Sequence, residues 1–309
     1  MTVFGAKSAL SIVIPAHDPG PFLAEALRSV VSQEYVNWEC VVVDDGSSED
    51  LSWVDEVDPR IRRIRRANRG PSAARNAGVA ATNGDFVAFL DADDIWRPDK
   101  LSRQITSLKA HPDSVLCHTG AELIDTFGKV LASWPDGREI RDYAHLLKRP
   151  VLGVSGVVVR RVSLLEAGGW NVFLQAAEDS DLWLRLILLG TFIYDDEPLW
   201  QYRIHSRNAS FNAVAMAEGI DQVLRQHEAL ARQRGDRVLL KSIRSTRQAS
   251  RRGWGATAYD QARTHLAERR LRLFGWRWLD ALRLNPRYTL VATGRYLLRL
   301  NGPQAMDRN

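Results

Sequence analysis

Acidic side chains follow directly on an apolar run in this chain. Asp91, Asp93 and Asp94 come immediately after residues 86–90, which have the composition of a buried strand. Like charges this close repel one another, and burying them is costly unless a positive charge lies among them. Because successive strand residues alternate faces, Asp91 and Asp93 can point the same way, and two carboxylates suit an octahedral Mg²⁺ or Mn²⁺. The alternative is a turn in which Asp93 or Asp94 caps a helix.

A second acidic loop follows another apolar run, residues 38–43. It begins with Asp44 and Asp45 and continues through Gly46 to Ser48. A carboxylate accepts hydrogen bonds from N–H and hydroxyl groups, which suits a nucleobase or a ribose. The alternative is an Asx-type turn led by Asp45 and Gly46.

A third acidic cluster precedes the apolar-faced segment 182–190, which is patterned as a helix. It contains Glu178, Asp179 and Asp181. A carboxylate at a helix N-terminus is stabilised by the macrodipole in its ionised form. An ionised carboxylate beside an acceptor hydroxyl can take its proton as a new bond forms. The alternative is simple helix capping.

The first 110 residues alternate apolar runs with helix-patterned segments. The predicted strands cover 10–14, 38–43, 61–64 and 86–90, and the predicted helices cover 22–31 and 70–84. This alternation indicates a parallel, Rossmann-like sheet, in which ligands bind at the carboxyl ends of the strands. That rule selects the loops at 15–18, 44–48 and 91–94 as the place for a ligand.

The remainder of the chain has a more mixed pattern. Between 111 and 211 the predicted strands cover 114–118, 121–125, 153–160, 191–196 and 199–204, with a hairpin at Gly128. After Asn212 the sequence is helical in pattern and rich in arginine. Residues 1–211 carry a net charge of −6, whereas residues 212–309 carry 19 Lys and Arg against 8 Asp and Glu, a net charge of +11. A difference of this kind indicates two regions with different roles.

Composition limits the class of protein. A chain of 309 residues that is 45% hydrophobic can form one large α/β domain or two smaller ones. Its two cysteines, Cys40 and Cys117, lie in apolar surroundings, which is typical of reduced core thiols and leaves no usual zinc-site spacing. The N-terminus lacks a signal-peptide pattern, and no uncharged apolar run reaches the roughly 18 residues of a membrane span. We expect a cytoplasmic protein that is either free or peripheral at the inner face of the membrane.

Six motifs together resemble those of family 2 glycosyltransferases, which have the GT-A fold. In chain order they are SIVIPAHD, VVVDDGSSED, ARNAGVA, GDFVAFLDADD, GGWN and EDSDLWLRL, and the similarity covers about residues 9–211. The resemblance implies an α/β GT-A fold, a Rossmann-like and mostly parallel sheet flanked by helices, with a helical C-terminal extension. It also implies a nucleotide-sugar-binding half at 1–110, an acceptor-binding half at 111–211 and a basic helical region at 212–309.

The resemblance implies a nucleotide pocket built from the loops after the first strands. The residues expected to line it are Pro15, Ala16, His17, Asp44, Asp45, Arg75, Asp91, Ala92 and Asp93. His17 stands where the family often has a tyrosine against the base, and Asp45 is expected at the base edge with Asp44 nearby. Arg75 either lies near the nucleotide or forms a structural bridge to Asp91 or Asp44.

The resemblance also implies the chemistry. The D-x-D motif is Asp91-Ala92-Asp93, with Asp93 as the main ligand of Mn²⁺ or Mg²⁺ and Asp91 toward the ribose. Asp91 and His205 complete the candidate metal ligands, and His205 and Arg203 either close over the diphosphate or have structural roles. In the Glu178-Asp179 pair, Asp179 is the expected general base, and attack opposite the diphosphate inverts the anomeric carbon.

The expected partners are a nucleotide sugar and a glycan or lipid-linked acceptor. Family frequency favours UDP, with dTDP and GDP open, and an outer glycan, glycolipid or wall polymer as the product class. Processive relatives carry a Gln-x-x-Arg-Trp motif and membrane spans, whereas residues 248–254 have a different spacing. A single sugar addition is therefore favoured over polymerisation.

Two other functions compete with this hypothesis. One is a Mg²⁺-dependent phosphohydrolase that uses the aspartates at 91–94, although the Ser or Thr and the Lys it needs are not evident downstream. The other is a non-catalytic protein that binds a sugar nucleotide or a glycan. It is disfavoured because the sequence has suitable residues at both the general-base position and the metal-ligand position.

Aromatic residues and arginines admit two interpretations. Trp134, Trp170 and Trp200 could form sugar-stacking platforms or could be core residues, and Trp183 either packs at the start of the predicted helix or faces a sugar. The segment 269–300 mixes Arg, Trp, Tyr and Leu, which is typical either of a membrane interface or of a helical layer with solvated arginines. No base-reading motif accompanies the charge, so nucleic acid is not an expected partner.

Overall fold

A computed structural model describes residues 8–133, 140–148, 152–208, 212–267 and 271–300 of the chain. It divides into two compact units, Met1–Asn208 and Ala209–Asn309. The first unit contains all the strands of the described residues, and the second is built from helices.

The N-terminal half of the first unit is an alternation of parallel strands and helices. Its elements are β1 (Leu10–Ala16), α1 (Phe22–Val31), β2 (Trp38–Asp44), β3 (Ile61–Arg65), α2 (Pro71–Ala80) and β4 (Phe86–Phe89). These strands lie side by side in the order β3-β2-β1-β4, all parallel. β1, β2 and β4 are almost completely buried, as expected for apolar strands covered on both faces. The strands and helices predicted in this half are confirmed, with shifts at their ends.

The rest of the first unit adds antiparallel strands to the same sheet. Its elements are β5 (Ile95–Trp96), α3 (Lys100–Ala110), β6 (Ser114–Ile124), β7 (Val130–Ser133), α4 (Tyr143–Lys148), β8 (Val157–Arg160), α5 (Arg161–Glu166), α6 (Glu178–Leu186) and β9 (Thr191–Arg203). β8 is antiparallel to β4 and β6, whereas β9 is parallel to β6 and antiparallel to β5. The sheet is therefore mixed. Its four N-terminal strands are all parallel to one another, and the loops that follow them are the predicted nucleotide site.

Two predicted pairs of short strands each form one long strand. Residues 114–118 and 121–125 are continuous in β6, and residues 191–196 and 199–204 are continuous in β9. The register between them shifts on both sides of Gly120, so the strands absorb the irregularity without ending. A Cβ at Gly120 would lie 3.2 Å from the carbonyl oxygen of Glu197, which explains why glycine suits this position.

The predicted strand at 153–160 begins only at Val157, because Val154–Gly156 forms a 3₁₀ turn. The backbone of this turn lies against the indole of Trp200, and a Cβ at Gly153 would lie 2.3 Å from the ring. The predicted helix at 182–190 starts instead at Glu178, so the acidic cluster occupies its first turn.

The second unit consists of α7 (Ala213–Gln233), α8 (Arg237–Ala267), α9 (Leu271–Leu284) and α10 (Pro286–Leu300). The side chain of Asn212 caps α7 by accepting a hydrogen bond from the Ala215 backbone N–H. A small core includes Ala258, Tyr259 and Ala281, with Trp254 and Trp278 packed against it. In the described ranges, the helices are too short or too polar to cross a bilayer.

Candidate active site

The loops that follow β1 and β2 are joined by hydrogen bonds at one edge of the sheet. Ala16 and Asp44 are paired at the carboxyl ends of these strands, which places the two loops side by side. The carboxylate of Asp18 accepts hydrogen bonds from the backbone N–H and the hydroxyl of Ser48, at 2.7 and 2.9 Å. These bonds lower the pKa of Asp18. The edge is therefore an ordered pair of loops at the predicted nucleotide position.

Asp44, the last residue of β2, is a buried carboxylate at this edge. Its side chain is fully buried, accepts a hydrogen bond from the Ser47 backbone N–H at 2.8 Å and pairs with Arg65 at 3.2 Å and Arg63 at 3.6 Å. These partners satisfy the buried charge. The predicted bridge between Arg75 and Asp44 is therefore wrong, because Asp44 takes its cations from the neighbouring strand β3.

Asp45 connects β2 to the start of α2. Its carboxylate accepts backbone N–H bonds from Arg69, at 3.1 Å, and Gly70, at 2.8 Å, and lies 3.2 Å from the Arg66 guanidinium. The turn that contains Gly46 has a positive φ of 77°, and Asn68 packs where a Cβ would stand. This loop holds the predicted base-binding carboxylate in one orientation.

His17 lies on the rim of the same edge. Its side chain is about half exposed, and its Nε2 is 3.1 Å from the Asn68 side-chain nitrogen. Pro15 and Ala16 are the last residues of β1, and Ala16 is buried beneath the rim. The ring of His17 is thus held at its edge while much of its surface faces solvent.

Arg75 joins two acidic loops that are far apart in the sequence. Its guanidinium lies 2.8 Å from the Asp91 carboxylate and 3.0 Å from the Glu178 carboxylate, and it stacks over the Trp170 ring at 4.5 Å. Burial alone would lower the pKa of Arg75, but the two carboxylates raise it above its usual value. The predicted bridge from Arg75 to Asp91 is confirmed, and the D-x-D loop after β4 lies beside the acidic start of α6.

Removing the Arg75 guanidinium is expected to destabilise the first unit. Arg75→Met leaves the Asp91 and Glu178 carboxylates without their shared cation, and breaking a buried pair costs about 3–5 kcal/mol. Urea unfolding monitored by circular dichroism measures the loss. Arg103→Met is the matched control: its pair with Asp195 is also 2.8 Å but the arginine is 42% exposed, so about 1 kcal/mol or less is expected. Equal losses in the two variants would contradict the central role of Arg75.

Asp93 and His205 form the second polar pair of the site. The Asp93 Oδ2 atom is 2.8 Å from His205 Nε2, and the His205 ring stacks on Phe22 at 5.4 Å between centroids. Burial and the neighbouring charge of Asp91 raise the pKa of Asp93, and His205 opposes this shift. A cation at this position would relieve the same repulsion.

The donor types of this pair fit a first-row divalent metal. Carboxylate oxygen suits Mg²⁺ and Mn²⁺, and imidazole nitrogen favours transition metals. In the part of the chain that the structure describes, no three His, Cys, Asp or Glu side chains form a ready ligand set. Asp93 and His205 would therefore hold a metal together with phosphate oxygens and waters, as is usual for Mg²⁺ sites that bind substrate phosphates. Asp91, the other predicted ligand, is engaged by Arg75.

Asp94 supports the loop without capping a helix. It is buried, accepts a 2.5 Å hydrogen bond from the Ser155 hydroxyl and accepts the backbone N–H of Arg203 at 3.1 Å. Burial raises its pKa well above the usual value. The N-cap position of α3 belongs to Asp99, so the predicted helix-capping alternative for Asp93 or Asp94 is wrong.

Asp179, in the first turn of α6, has a raised pKa. Burial and the adjacent charge of Glu178 raise the pKa of Asp179 to about 7. The Ser180 backbone N–H donates to this carboxylate at 2.6 Å and partly opposes the rise. The preceding residue, Ala177, has a left-handed φ of 60°, which costs a residue with a Cβ on the order of 1–2 kcal/mol. This backbone places Glu178 toward Arg75 with Asp179 beside it. A carboxylate with a pKa near neutrality can accept and release a proton at physiological pH.

Arg203 is a buried residue that supports the Asp93 loop. It is 1% exposed, pairs with Glu25 at 2.7 Å, donates from Nε to the Asp93 carbonyl oxygen at 2.9 Å and stacks over Phe22 at 4.6 Å. Its remaining nitrogen reaches the carbonyl oxygens of residues 125 and 126. Arg203 therefore has the structural role among its two predicted alternatives, because its donors are committed to protein acceptors.

The tryptophans proposed as sugar platforms are core residues. Trp170, Trp183 and Trp200 are 0–3% exposed, and the Trp183 indole donates to the Leu152 carbonyl oxygen at 3.0 Å. Their platform role is wrong because no face is available to a ligand. Trp134 lies outside the described residues.

Comparisons with known proteins identify relatives of this chain. Residues 11–168 match the family described as Glycosyl transferase family 2. TuaG of Bacillus subtilis (strain 168), assigned as a glycosyltransferase of teichuronic acid biosynthesis, is 28% identical over 72% of this chain and 90% of its own length. The O-antigen biosynthesis protein RfbC of Myxococcus xanthus is 34% identical over 70% of this chain, which spans only 17% of RfbC.

Two solved structures share the fold. S. aureus TarS 1–349 in complex with UDP-GlcNAc has a TM-score of 0.59 at 15% identity, covering 88% of this chain and 90% of its own. The mannosyltransferase PcManGT from Pyrobaculum calidifontis, in complex with GDP-Man and Mn²⁺, has a TM-score of 0.59 at 18% identity, covering 95% and 81%. At these identities the likeness establishes the GT-A fold alone.

Proposed function

This chain belongs to glycosyl transferase family 2, and on that premise we propose that it moves one sugar from a nucleotide diphosphate to an acceptor hydroxyl with inversion. As a glycosyltransferase the protein is an enzyme, so the phosphohydrolase and the non-catalytic binding hypotheses are not retained. One observation carries the proposal: Arg75 contacts both Asp91 and Glu178, so the D-x-D loop and the loop of the candidate base form one site.

In the proposed reaction, residues of this site account for the proton transfer and for the bonds that form and break. The Asp179 carboxylate takes the proton of the acceptor hydroxyl while that oxygen attacks the anomeric carbon from the face opposite the diphosphate. The bond from the anomeric carbon to the diphosphate oxygen breaks, and its electron pair leaves with the nucleoside diphosphate. A divalent metal, when bound through Asp93 and His205, supplies Lewis-acid neutralisation of the diphosphate charge. Asp91 is directed by Arg75 toward the donor.

The nucleotide is held by the first two loops in this proposal. The Asp45 carboxylate meets the N–H edge of the base, and His17 lies against the base face. UDP is the favoured nucleotide, supported by the TarS complex with UDP-GlcNAc, while GDP and dTDP are the competing choices. The PcManGT complex, which contains GDP-Man and Mn²⁺, supports a metal-dependent donor site.

The acceptor is proposed to be a growing cell-envelope saccharide. The names of two relatives refer to teichuronic acid and to O-antigen biosynthesis, both of which are surface polysaccharides. Such a substrate offers the sugar hydroxyl that Asp179 requires, on a glycan, a glycolipid or a wall polymer.

The donor and the stereochemistry can be tested without knowing the acceptor. Calorimetric titration with UDP, dTDP and GDP in Mn²⁺ should show tightest binding for UDP. Asp45→Ala should weaken UDP binding by about 10- to 100-fold, because a lost hydrogen bond to a charged group is worth about 1.5–3 kcal/mol. Asp99→Ala is the control, since the Asp99 side chain makes no capping bond.

NMR of the sugar freed when water acts as acceptor should show the inverted anomer first. Retention of configuration, or no nucleotide binding, would overturn the proposal.

A further inference from the structure

The helical unit carries a groove that has no role in sugar transfer. The groove has a volume of about 400 Å³ and lies between α8 and α10. From α8 it is lined by Tyr259 and Arg263, and from α10 by Arg287, Val291 and Arg295, which recur every four residues on one helix face. Three guanidinium groups therefore surround one depression.

Two of the three arginines of this groove supply uncompensated positive charge, because in the described ranges Arg287 and Arg295 make no ion pair. Arg263 is already engaged, and one of its contacts is with Asp260 at 3.9 Å. Guanidinium groups gathered in this way favour a bound anion, and their planar donors match phosphate oxygens.

The floor of the groove is aromatic and apolar. Tyr259 is only 4% exposed and meets the Tyr288 ring edge to face, with centroids 5.9 Å apart. The Val291 side chain lines the same wall and is 55% exposed. A cationic rim above an apolar floor fits a phosphate that is attached to a nonpolar group better than it fits a free, fully hydrated phosphate.

Large apolar side chains lie exposed on α9 and α10 of the same unit. Leu290 on α10 is 57% exposed, and on α9 Trp276 is 71% and Leu279 is 55% exposed. On α9 these two lie between Arg272 and Arg283, at positions 272, 276, 279 and 283, which fall on one helix face, and Arg283 also pairs with Glu218 at 2.7 Å. Trp, Leu and Arg on exposed helix faces are typical of helices that lie in the interface of an anionic bilayer.

We propose that the Arg263, Arg287 and Arg295 groove binds the phosphate of an anionic lipid head group and docks the helical unit on a bilayer surface. The lipid phosphate occupies the groove, and Trp276, Leu279 and Leu290 enter the head-group region. This proposal is independent of the transfer reaction, because its probes contain no nucleotide sugar.

Sedimentation of the full-length protein with vesicles tests the groove. We expect binding to vesicles of phosphatidylcholine with phosphatidylglycerol and little binding to phosphatidylcholine alone. Arg287→Gln with Arg295→Gln should reduce the partition constant more than 10-fold, since each surface arginine contributes about fivefold. The control is Arg237→Gln with Lys241→Gln, which removes the same charge from exposed positions at the start of α8. Equal losses in both double variants, or equal binding to neutral vesicles, would overturn the groove as the site.

A second arm separates lipid from free phosphate. Trp276→Ser with Leu279→Ser should weaken vesicle binding at least fivefold while leaving the arginines in place. Inorganic phosphate at a few millimolar should not displace the protein from anionic vesicles. Full displacement by phosphate, or vesicle binding unchanged in the apolar variant, would show a soluble-anion site and contradict membrane docking. Unchanged circular dichroism in all variants confirms that the helices remain folded.

Discussion

Asp179→Asn should reduce kcat by about 10²–10⁴-fold, with little change in KM for the donor. The reason is the loss of the group that takes the acceptor proton, because the asparagine amide cannot accept it. The change keeps the size of the side chain, so donor binding is expected to persist. Initial rates of donor consumption, compared with those of Asp99→Asn at the start of α3, measure the effect. A kcat within threefold of wild type would assign the base to another residue.

The pH profile separates this role from a structural one. With a pKa of about 7, Asp179 is ionised and active above neutrality, so kcat should fall tenfold per unit as the pH drops below that value. In Asp179→Asn this acidic limb should vanish. A profile of the variant that retains the limb near pH 7 would show that another group titrates there.

The free energy of unfolding should change with pH in the direction opposite to kcat. The folded pKa of Asp179 is raised above its unfolded value, so the native state binds more protons between about pH 4 and pH 7 and loses stability as the pH rises through that range. Asp179→Asn removes the buried charge, so at pH 8 its free energy of unfolding should equal or exceed that of wild type. A variant that is inactive because it is unfolded would fail this test.

Asp93→Ala should reduce activity by at least about 10³-fold, since Lewis-acid stabilisation of a departing diphosphate is worth several kcal/mol. In the proposed site the Asp93 carboxylate is the oxygen donor to a divalent cation, and His205 alone would not replace it. Chelation of divalent metals should lower wild-type activity to the same level, and added Mn²⁺ should restore wild type but not the variant. Removing a carboxylate that Asp91 repels should leave the fold intact, which thermal unfolding checks.

Asp94, the residue next to Asp93, provides a comparison for the Asp93→Ala variant. Asp94→Asn disturbs the bonds to Ser155 and to the Arg203 backbone, so its loss of activity should follow a loss of stability and should keep the wild-type response to Mn²⁺. A Mn²⁺ response in Asp93→Ala with the same half-saturation as wild type would place the metal on other ligands.

The local parts of this protein were accessible from its sequence. Strands such as 10–14 and 38–43 are apolar and β-branched, and they are buried on both faces, so their pattern reports their structure directly. The rule that ligands bind at the carboxyl ends of parallel strands then selected the loops at 15–18, 44–48 and 91–94. The glycosyltransferase family and the GT-A fold predicted from the six motifs are confirmed. The roles assigned to Asp45, Asp93 and Asp179 remain predictions.

What tertiary structure decided lies in pairings between distant segments. Arg75 was ambiguous because its partners, Asp91 and Glu178, are 16 and 103 positions away, and only the folded sheet brings both to one guanidinium. Arg203 donates directly to the Asp93 carbonyl oxygen, 110 residues away, and pairs with Glu25, 178 residues away. Burial of Trp170, Trp183 and Trp200 likewise depends on which segments cover them.

One physical cause separates what the sequence determined from what the tertiary structure decided. Periodicity and turn residues act between near neighbours, so the sequence determined the strands, the helices and the acidic loops that end them. Ion pairs, side-chain burial and the raised pKa of Asp179 depend on which groups displace water around a side chain. That choice is made only when strands and helices far apart in the chain pack together.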